Sequence, residues 1–203
     1  MTTLVIATSN MGKYRELRDM LRDTLPEVEY LSLQNFPDYK APPEDGDTFE
    51  ANATLKATDA ARQLNHLVLA DDSGLVVPSL NNEPGIYSAR YAGPEATDAD
   101  NRKHLLRRMQ GLTDVQRQAY FACGLAVADP SGLLLYEEGH VEGEILTEMR
   151  GSGGFGYDPL FLKHDYSHTF AELDEATKNR VSHRRKAIDR ILPRLMNLLP
   201  CNT

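Results

Sequence analysis

Cysteine and long apolar runs are scarce in this sequence, and each shortage excludes a class of protein. Only Cys123 and Cys201 occur among the 203 residues, and because they lie far apart in the chain, no disulfide framework is expected and a reducing compartment fits. No stretch approaches the roughly 20 apolar residues of a membrane span, and the start of the chain lacks the basic residues and the apolar length of a signal peptide. The sequence therefore predicts a cytoplasmic protein outside the membrane.

Basic residues are outnumbered by acidic ones, 22 to 30, which gives a formal net charge of −8. This balance disfavours a nonspecific nucleic-acid binder, because such proteins normally carry a basic excess. A small polyanionic ligand is compatible with it, since a metal ion and a few local cations can invert the local field. Zinc-ligand spacings, a Walker A loop and a Gly-x-Ser-x-Gly elbow are also missing, which argues against a zinc site, a P-loop enzyme and a serine hydrolase.

Short apolar runs alternate with helical patterns, which predicts an α/β fold with a mixed sheet. The predicted strands are 4–8, 28–33, 67–70 with an extended continuation over 75–77, 119–128 and 133–141. The last two strands form a hairpin, because Asp129-Pro130-Ser131-Gly132 between them has the composition of a turn.

The predicted helices run from residue 9 or 10 to about 25, over 48–64, from 97 to 109 and from about 182 onward. Ser9 or Asn10 can cap the first helix, and Asp47 with Glu50 has the spacing of a capping box for the second. Pro193 lies inside the last helical pattern, where proline costs about 3 kcal/mol, so we expect a kink or a break there.

The most distinctive run is Gly151 to Pro159, in which four of nine residues are glycine. Glycine at this density indicates a backbone that approaches another group closely or adopts positive φ. Bare amides beside an exposed ring suit a flat, anionic ligand such as a nucleotide. The alternative is a turn between two strands, with Phe155 and Tyr157 packed into the core.

Two helix starts carry groups that suit a phosphorylated ligand. Thr8, Ser9, Asn10 and Lys13 surround the start of the first helix, where free N–H groups and the helix dipole favour anions. Ordinary capping beside a solvated lysine is the alternative. The last helix opens with Ser182-His183-Arg184-Arg185, and cations are slightly unfavourable at that end of a helix. A ligand that accepts hydrogen bonds from the guanidinium group of an arginine would explain why cations occur at this helix start.

Asp71 and Asp72 follow an apolar strand, and strand ends are where α/β proteins usually bind ligands. Side chains alternate along a strand, so the two acids are predicted to point to opposite faces, where one can be catalytic and the other structural. A carboxylate here can bind Mg²⁺ or act as a base toward water. Glu44 or Asp45 in the acidic loop 35–47 can supply a second metal ligand, unless that loop is only a solubilising charge cluster.

Six segments occur in the order found in the inosine triphosphate pyrophosphatase family, which the chain resembles over nearly its whole length. They are Thr8-Ser9-Asn10-x-x-Lys13, Thr48-Phe49-x-x-Asn52-Ala53, Ala70-Asp71-Asp72-Ser73-Gly74, Pro84-Gly85-Ile86-Tyr87-Ser88-Ala89-Arg90, Gly153-Gly154-Phe155-Gly156-Tyr157-Asp158-Pro159 and Ser182-His183-Arg184. The resemblance implies an elongated α/β fold of two lobes around a long mixed β-sheet, with the ligand cleft between the lobes. It also implies that residues 1–203 form one pyrophosphatase domain and that the protein is a homodimer.

The same resemblance implies Mg²⁺-dependent hydrolysis of ITP, dITP and XTP to the monophosphate and pyrophosphate, which cleanses the nucleotide pool. Carried over by motif, Asp72 would be the proton acceptor and a metal ligand, and Glu44, or else Asp45, the second metal ligand. Phe155 would stack on the base. The implied substrate contacts are Thr8, Ser9, Asn10, Met11, Gly12, Lys13, Ser73, Phe155, Gly156, Tyr157, Asp158, Lys178, His183 and Arg184.

Two other functions stay compatible with the sequence. One is a pyrophosphatase of similar architecture that acts on pyrimidine or modified nucleotides, and the other is a nucleotide-sensing regulator that binds without turnover. The paired acids Glu44 and Asp72 argue against the regulator, because binding alone rarely needs a base.

Overall fold

The computed structural model describes residues 2–199 and has an α/β fold built on a six-stranded sheet. The strands are Thr2–Ile6 (β1), Val28–Ser32 (β2), Leu67–Val76 (β3), Gln118–Asp129 (β4), Gly132–Ile145 (β5) and Phe161–Lys163 (β6). The helices are Met11–Arg22 (α1), Phe49–Leu64 (α2), Asp98–Arg108 (α3), Glu175–Val181 (α4) and His183–Leu198 (α5). Between residues 2 and 199, no helix combines the length and the apolar character that crossing a bilayer requires.

The sheet is mixed, as predicted, and its order is β2-β1-β3-β4-β5-β6. Strand β1 pairs in parallel with both β2 and β3, whereas β5 and β6 are antiparallel. Parallel neighbours need a long crossover connection, and α1 and α2 supply one each. The predicted hairpin is also present, since β4 and β5 are neighbours joined by a two-residue turn.

The chain divides into two compact units, of which the first comprises Met1–Asp72, Cys123–Gly139 and Arg184–Thr203. Alternate residues of β1 face opposite sides of the sheet, as strand geometry requires. Leu4 and Ile6 belong to a core shared with α1 and α5, while Val5 belongs to a core shared with α2. Helix α2 can approach closely because the residues that it buries there are small, namely Ala53, Ala57, Ala60 and Ala61.

The second unit comprises Ser73–Ala122 and His140–His183 and has its own core. Its centre is aromatic, because the rings of Phe121, Phe161 and Phe170 lie within 4.7 to 5.9 Å of one another, centroid to centroid. Of the two cysteines, Cys123 is fully buried in β4, and Cys201 lies outside the described residues.

Helix starts are fixed by side-chain caps, and one predicted cap is wrong. Asn10 caps α1, which is one of the two residues that the sequence allowed. The cap of α2 is Thr48 and not Asp47: its hydroxyl accepts from the N–H of Ala51 at 3.0 Å. Because threonine stands one residue later, the spacing to Glu50 is too short for the predicted capping box.

Three other elements differ from the sequence-based prediction. Strand β3 does not stop at Ala70 but continues through residues 71–74 to Val76. Helix α4 was not predicted within the polar segment 164–182, although Asp174 caps it. Helix α5 runs on through Pro193, so the chain does not break there, and the kink that was the other expectation stays a prediction. Fully buried residues on both sides of the proline, Ile191 and Leu195, anchor the two parts of the helix to one core.

Candidate functional site

The turn from β1 into α1 presents polar groups at a helix N-terminus. The Asn10 side-chain oxygen accepts from the backbone N–H groups of Gly12 at 2.8 Å and of Lys13 at 3.1 Å. The backbone N–H of Asn10 donates in turn to the Thr8 hydroxyl at 3.2 Å. Ser9 and Asn10 are exposed. The turn is therefore ordered by its own side chains and open to an incoming anion.

Asp71 forms an ion pair with Lys13, the lysine of this turn. Its carboxylate is 1 % exposed and lies 3.1 Å from the ammonium of Lys13 and 3.7 Å from Nε of Arg184. Burial alone would raise the pKa of Asp71, but the charges of Lys13 and Arg184 outweigh it and hold the pKa well below its ordinary value. Asp71 is therefore ionised and holds Lys13 in place.

Arg184 is buried at the start of α5 and contacts two acids. Its Nη1 donates to Oε2 of Glu16 at 2.7 Å, in addition to the contact with Asp71. Its side chain is 3 % exposed. These contacts tie α5 to α1 and β3, and the predicted contact of Arg184 with substrate stays a prediction.

Asp72, the next residue of β3, contacts a different helix. Its Oδ2 accepts from the side-chain amide of Asn52 at 3.2 Å, and its Oδ1 accepts from the ammonium of Lys56 at 2.9 Å, both on α2. Asp71 instead contacts α1 and α5, so the two neighbouring acids point to different helices, as alternation along a strand requires. Burial raises the pKa of Asp72, against the opposing charges of Lys56 and Lys13.

Lys56 joins Asp72 to the acidic loop. Its ammonium lies 3.2 Å from Oε1 of Glu44 as well as 2.9 Å from Asp72. Burial would lower the pKa of Lys56, but Asp72, Asp71 and Glu44 outweigh it and raise the pKa. The side chain therefore stays a cation between two carboxylates.

These carboxylates suit a magnesium ion that also meets phosphate. Within residues 2–199 no three His, Cys, Asp or Glu side chains cluster as a complete metal centre. Mg²⁺ bound together with substrate phosphates usually takes only one or two protein carboxylates. Glu44 and Asp72 already converge on one cation, the Lys56 ammonium, so the donor set fits. Glu44, rather than Asp45, is the loop acid with this contact.

The glycine-rich loop of the second unit is organised around Asp158. Its Oδ2 accepts from the backbone N–H of Phe155 at 2.9 Å and from the Lys178 ammonium at 2.5 Å. Lys178 also lies 4.6 Å from the centre of the Phe155 ring. Gly154 has φ +68° and passes so close that an added Cβ would lie 2.1 Å from Oδ2 of Asp158. Glycine is therefore required there for both conformation and space.

The two aromatic residues of this loop differ in exposure. Tyr157 is buried, and its hydroxyl donates to the backbone carbonyl of Ser88 at 2.9 Å, as the turn interpretation expects. Phe155 is half-buried between exposed Gly154 and half-buried Gly156. Its ring is therefore neither packed fully into the core, as the turn interpretation expects, nor exposed, as the ligand interpretation expects. His183 is buried and stacks on Phe121, with ring centroids 4.8 Å apart and an interplanar angle of 13°.

Comparison with known proteins identifies the family. A sequence profile described as the Ham1 family matches residues 4–194. The chain belongs to the Ham1 family. The predicted resemblance is confirmed by similar proteins named dITP/XTP pyrophosphatase: one from Protochlamydia amoebophila is 53 % identical and covers 96 % of this chain and 98 % of its own length. Another from Chlamydia abortus is 49 % identical and covers 97 % and 95 %.

Solved structures of Ham1 proteins confirm the α/β fold. A HAM1 protein from Coxiella burnetii superposes with a TM-score of 0.86 at 39 % identity and covers 97 % of this chain and all of the other. The Ham1 protein of Staphylococcus aureus gives a TM-score of 0.84, with the same identity and the same coverage.

The structure of this Ham1-family chain adds two residues that the sequence analysis did not assign, Asn52 and Lys56. They lie four residues apart on α2, which places them on one helix face. Asn52 is fully buried, and its side-chain oxygen accepts from the backbone N–H of Gly46 at 2.9 Å. It thereby holds the acidic loop two residues from Glu44. The four-residue spacing of Asn52 and Lys56, which follow Thr48 in the chain, was visible in the sequence. The acids that they contact were not.

A further segment of the Ham1-family chain, Pro84 to Arg90, has a packing role. An added Cβ at Gly74 would lie 2.3 Å from the carbonyl oxygen of Gly85 and 2.4 Å from the Ser88 hydroxyl. That hydroxyl accepts from the backbone N–H of Leu75 at 2.9 Å. The segment thus packs directly against β3, which explains the glycine after Ser73.

Proposed function

We propose that this chain hydrolyses dITP, ITP and XTP to the nucleoside monophosphate and pyrophosphate, and so removes them from the nucleotide pool. One observation carries the proposal: the Lys56 ammonium joins the carboxylates of Asp72 and Glu44, an arrangement suited to a metal that meets phosphate. The dITP/XTP pyrophosphatase names of relatives matched over nearly the whole chain support the substrate class. Residues 1–203 would act as one pyrophosphatase domain.

Asp72 and Glu44 are proposed to hold Mg²⁺. When bound, Mg²⁺ neutralises phosphate charge and stabilises the departing pyrophosphate. Lys56 keeps the two carboxylates close together in the absence of the ion and offers its ammonium to the phosphates when the ion is present. Asn52 holds Oδ2 of Asp72, so the orientation of the carboxylate does not depend on the ion alone.

Asp72 is proposed as the proton acceptor. It takes a proton from a water molecule as the water oxygen bonds to the α-phosphorus. The bond from the α-phosphorus to the oxygen bridging to the β-phosphorus breaks, and pyrophosphate leaves with those electrons. A carboxylate whose pKa is raised by burial accepts that proton more readily than one in water.

The residues from Thr8 to Lys13 are proposed to hold the triphosphate, because the turn is exposed and lies at a helix N-terminus. Phe155 is proposed to stack on the base. The other proposed substrate contacts are Ser73, Gly156, Tyr157, Asp158, Lys178, His183 and Arg184. Inosine and xanthine carry a 6-keto acceptor where adenine carries a donor, so donors aimed at that oxygen would reject ATP by a factor of about 10⁴.

We also propose that the protein is a cytoplasmic homodimer that acts on free nucleotides and not on nucleic acid. The net charge of −8 supports the last point. Light scattering behind a sizing column measures the assembly, and a mass near 22.7 kDa, that of one chain, would contradict the dimer.

The experiment that tests the activity is a panel of nucleoside triphosphates assayed for pyrophosphate release with and without Mg²⁺. We expect rapid release from ITP, dITP and XTP and little from ATP. Rapid cleavage of dTTP or UTP without cleavage of ITP would instead identify a pyrimidine enzyme. Absence of any product with Mg²⁺ present would favour a regulator.

A matched pair of variants tests the metal assignment. Glu44→Gln removes the loop carboxylate that contacts Lys56, and Asp45→Asn makes the same chemical change one residue away. We expect the first to raise the Mg²⁺ concentration needed for half-maximal rate by about tenfold or more and the second to leave it unchanged. Equal effects, or the reverse order, would contradict the role of Glu44.

A further inference from the structure

Helix α3 forms hydrogen bonds with both backbone polar groups of one residue in the glycine-rich loop, Gly156. Asp98 and Arg102 lie four residues apart on this helix, and residues with that spacing share a helix face. Oδ2 of Asp98 accepts from the backbone N–H of Gly156 at 2.7 Å, and Nη1 of Arg102 donates to the carbonyl oxygen of Gly156 at 2.6 Å. Both bonds join a charged side chain to the backbone, which makes them stronger than bonds between neutral groups.

The two bonds fix two successive peptide planes. The N–H of Gly156 belongs to its peptide with Phe155, and its carbonyl belongs to its peptide with Tyr157. Holding both planes fixes the backbone of Gly156, which has φ +58°, a conformation that costs glycine little. An added Cβ at Gly156 would have no atom within 4 Å, so the position requires glycine for its backbone and not for space.

The loop residues on either side are therefore oriented from α3. We propose that Asp98 and Arg102 are positioning residues that hold the Phe155 ring in its base-binding orientation and so set the affinity for the nucleoside. This inference rests on the proposed function, because it assumes that Phe155 contacts the base. Asp98 is exposed and Arg102 half-buried, and neither side chain is assigned a contact with substrate.

The remaining contacts of the loop hold other residues. Asp158 and Lys178 act on Phe155 through its N–H and its ring, and Ser88 holds the Tyr157 hydroxyl. Asp98 and Arg102 are the residues that bond Gly156 itself to another element. Loss of the pair should therefore loosen the peptide planes around Gly156 without unfolding the second unit.

The first test measures the loop in the ligand-free enzyme by hydrogen exchange. Arg102→Met removes the donor to the Gly156 carbonyl, and Arg107→Met, an exposed residue on the same helix, is the matched control. We expect exchange in the 151–158 segment to accelerate by about tenfold or more in the first variant and not in the second. Unchanged exchange in Arg102→Met would overturn the proposal, and because this test involves no substrate, its result is independent of the proposed activity.

The second test separates positioning from general damage by steady-state kinetics with ITP. Arg102→Met and Asp98→Ala should raise KM by about tenfold with kcat nearly unchanged, and Asp98→Asn, which keeps an acceptor oxygen, should recover part of the loss. A fall in kcat at constant KM, or equal effects of Asp98→Asn and Asp98→Ala, would overturn the proposal. Failure of the proposed function would show differently, as no pyrophosphate release from any nucleotide by the unaltered enzyme.

Discussion

Replacing Lys178 with methionine removes one charge of a buried ion pair while keeping the length of the side chain. The Lys178 ammonium lies 2.5 Å from Oδ2 of Asp158, and both side chains are 4 % exposed. The Asp158 carboxylate would stay buried without this cation. Removing one partner of such a pair costs about 3–5 kcal/mol, more than the pair itself contributes over an apolar replacement.

The expected loss translates into a large change in melting temperature. For a chain of this size, 1 kcal/mol shifts Tm by about 2–4 °C, so the Lys178→Met variant should melt roughly 6–20 °C lower. The double variant Lys178→Met/Asp158→Asn should recover part of this loss, because it also removes the buried negative charge. Recovery would appear as an interaction energy in a double-mutant cycle.

Differential scanning calorimetry of the ligand-free protein measures these changes without reference to catalysis. Lys163→Met is the control, since the Lys163 ammonium lies 4.7 Å from the centre of the Tyr166 ring at a partly exposed position, where such a contact contributes only about 0.5–1 kcal/mol. A Lys178→Met variant that melts no lower than Lys163→Met would refute the reasoning. It would mean that the carboxylate is hydrated or protonated without cost.

Three further predictions concern the proposed metal and the two adjacent acids, Asp72 and Asp71. Asp72→Asn should lower kcat for ITP by about 10²–10⁴-fold, the usual contribution of a general base, while circular dichroism shows the same fold, and near-normal turnover would remove Asp72 from the mechanism. EDTA should abolish pyrophosphate release and excess Mg²⁺ should restore it, whereas activity that survives EDTA would contradict the metal role. Asp71→Asn should lower the free energy of unfolding by about 3–5 kcal/mol at pH 7. The reason is that the lowered pKa of Asp71 stabilises the folded chain at pH values above about 4, the ordinary pKa of an aspartate. That contribution disappears as the pH falls toward the folded pKa, so urea unfolding should show the gap from the unaltered chain narrowing below about pH 4, and a constant gap would count against it.

Periodic patterns predicted most of the fold because they reflect burial on one face. Strand β1 was predicted from a continuous apolar run and α2 from its alanine content, and residues of both elements lie in cores of the structure. Strand β3 was predicted too short for the same reason. Asp71 and Asp72 break the apolar pattern, yet they stay in the strand because their carboxylates pair with lysines on α1 and α2.

Elements that depend on a single local contact were harder to predict. Helix α4 has only seven residues and begins at the Asp174 cap, so it offers too few turns for a periodic pattern. Helix α5 passes Pro193 because Ile191 and Leu195 are buried on either side, and packing against a tertiary core outweighs a local propensity. Neither contact can be recognised without knowing what lies opposite.

The candidate site, like the fold, was predicted from the sequence only in part. Motifs predicted groups that could carry chemistry, and one motif contains Asn52. No contact was predicted for Asn52 or Lys56, because their common partner, Asp72, lies 20 and 16 residues away in sequence. The choice between Glu44 and Asp45 likewise depends on which acid reaches Lys56 across the loop. Residues that act through another residue become visible only when the fold brings them together.

The adjacent acids of β3 explain why the turn from β1 into α1 and the proposed metal ligands keep a fixed spacing. Asp71 bonds Lys13 of α1 on one face of the strand, and Asp72 bonds Lys56 of α2 on the other. Lys13 lies in the first turn of α1 and Lys56 in the middle of α2. Both helices are therefore tied to neighbouring positions of a single strand, where the backbone sets the distance between the two contacts. A one-residue shift in the register of β3 would exchange the two faces. One lysine would then lie opposite the other aspartate, and the second would lie opposite Ala70 or Ser73, depending on the direction of the shift. Register errors are thus opposed by two ion pairs in which the carboxylates are buried and the lysines half-buried, which couples correct folding of the sheet to assembly of the candidate site.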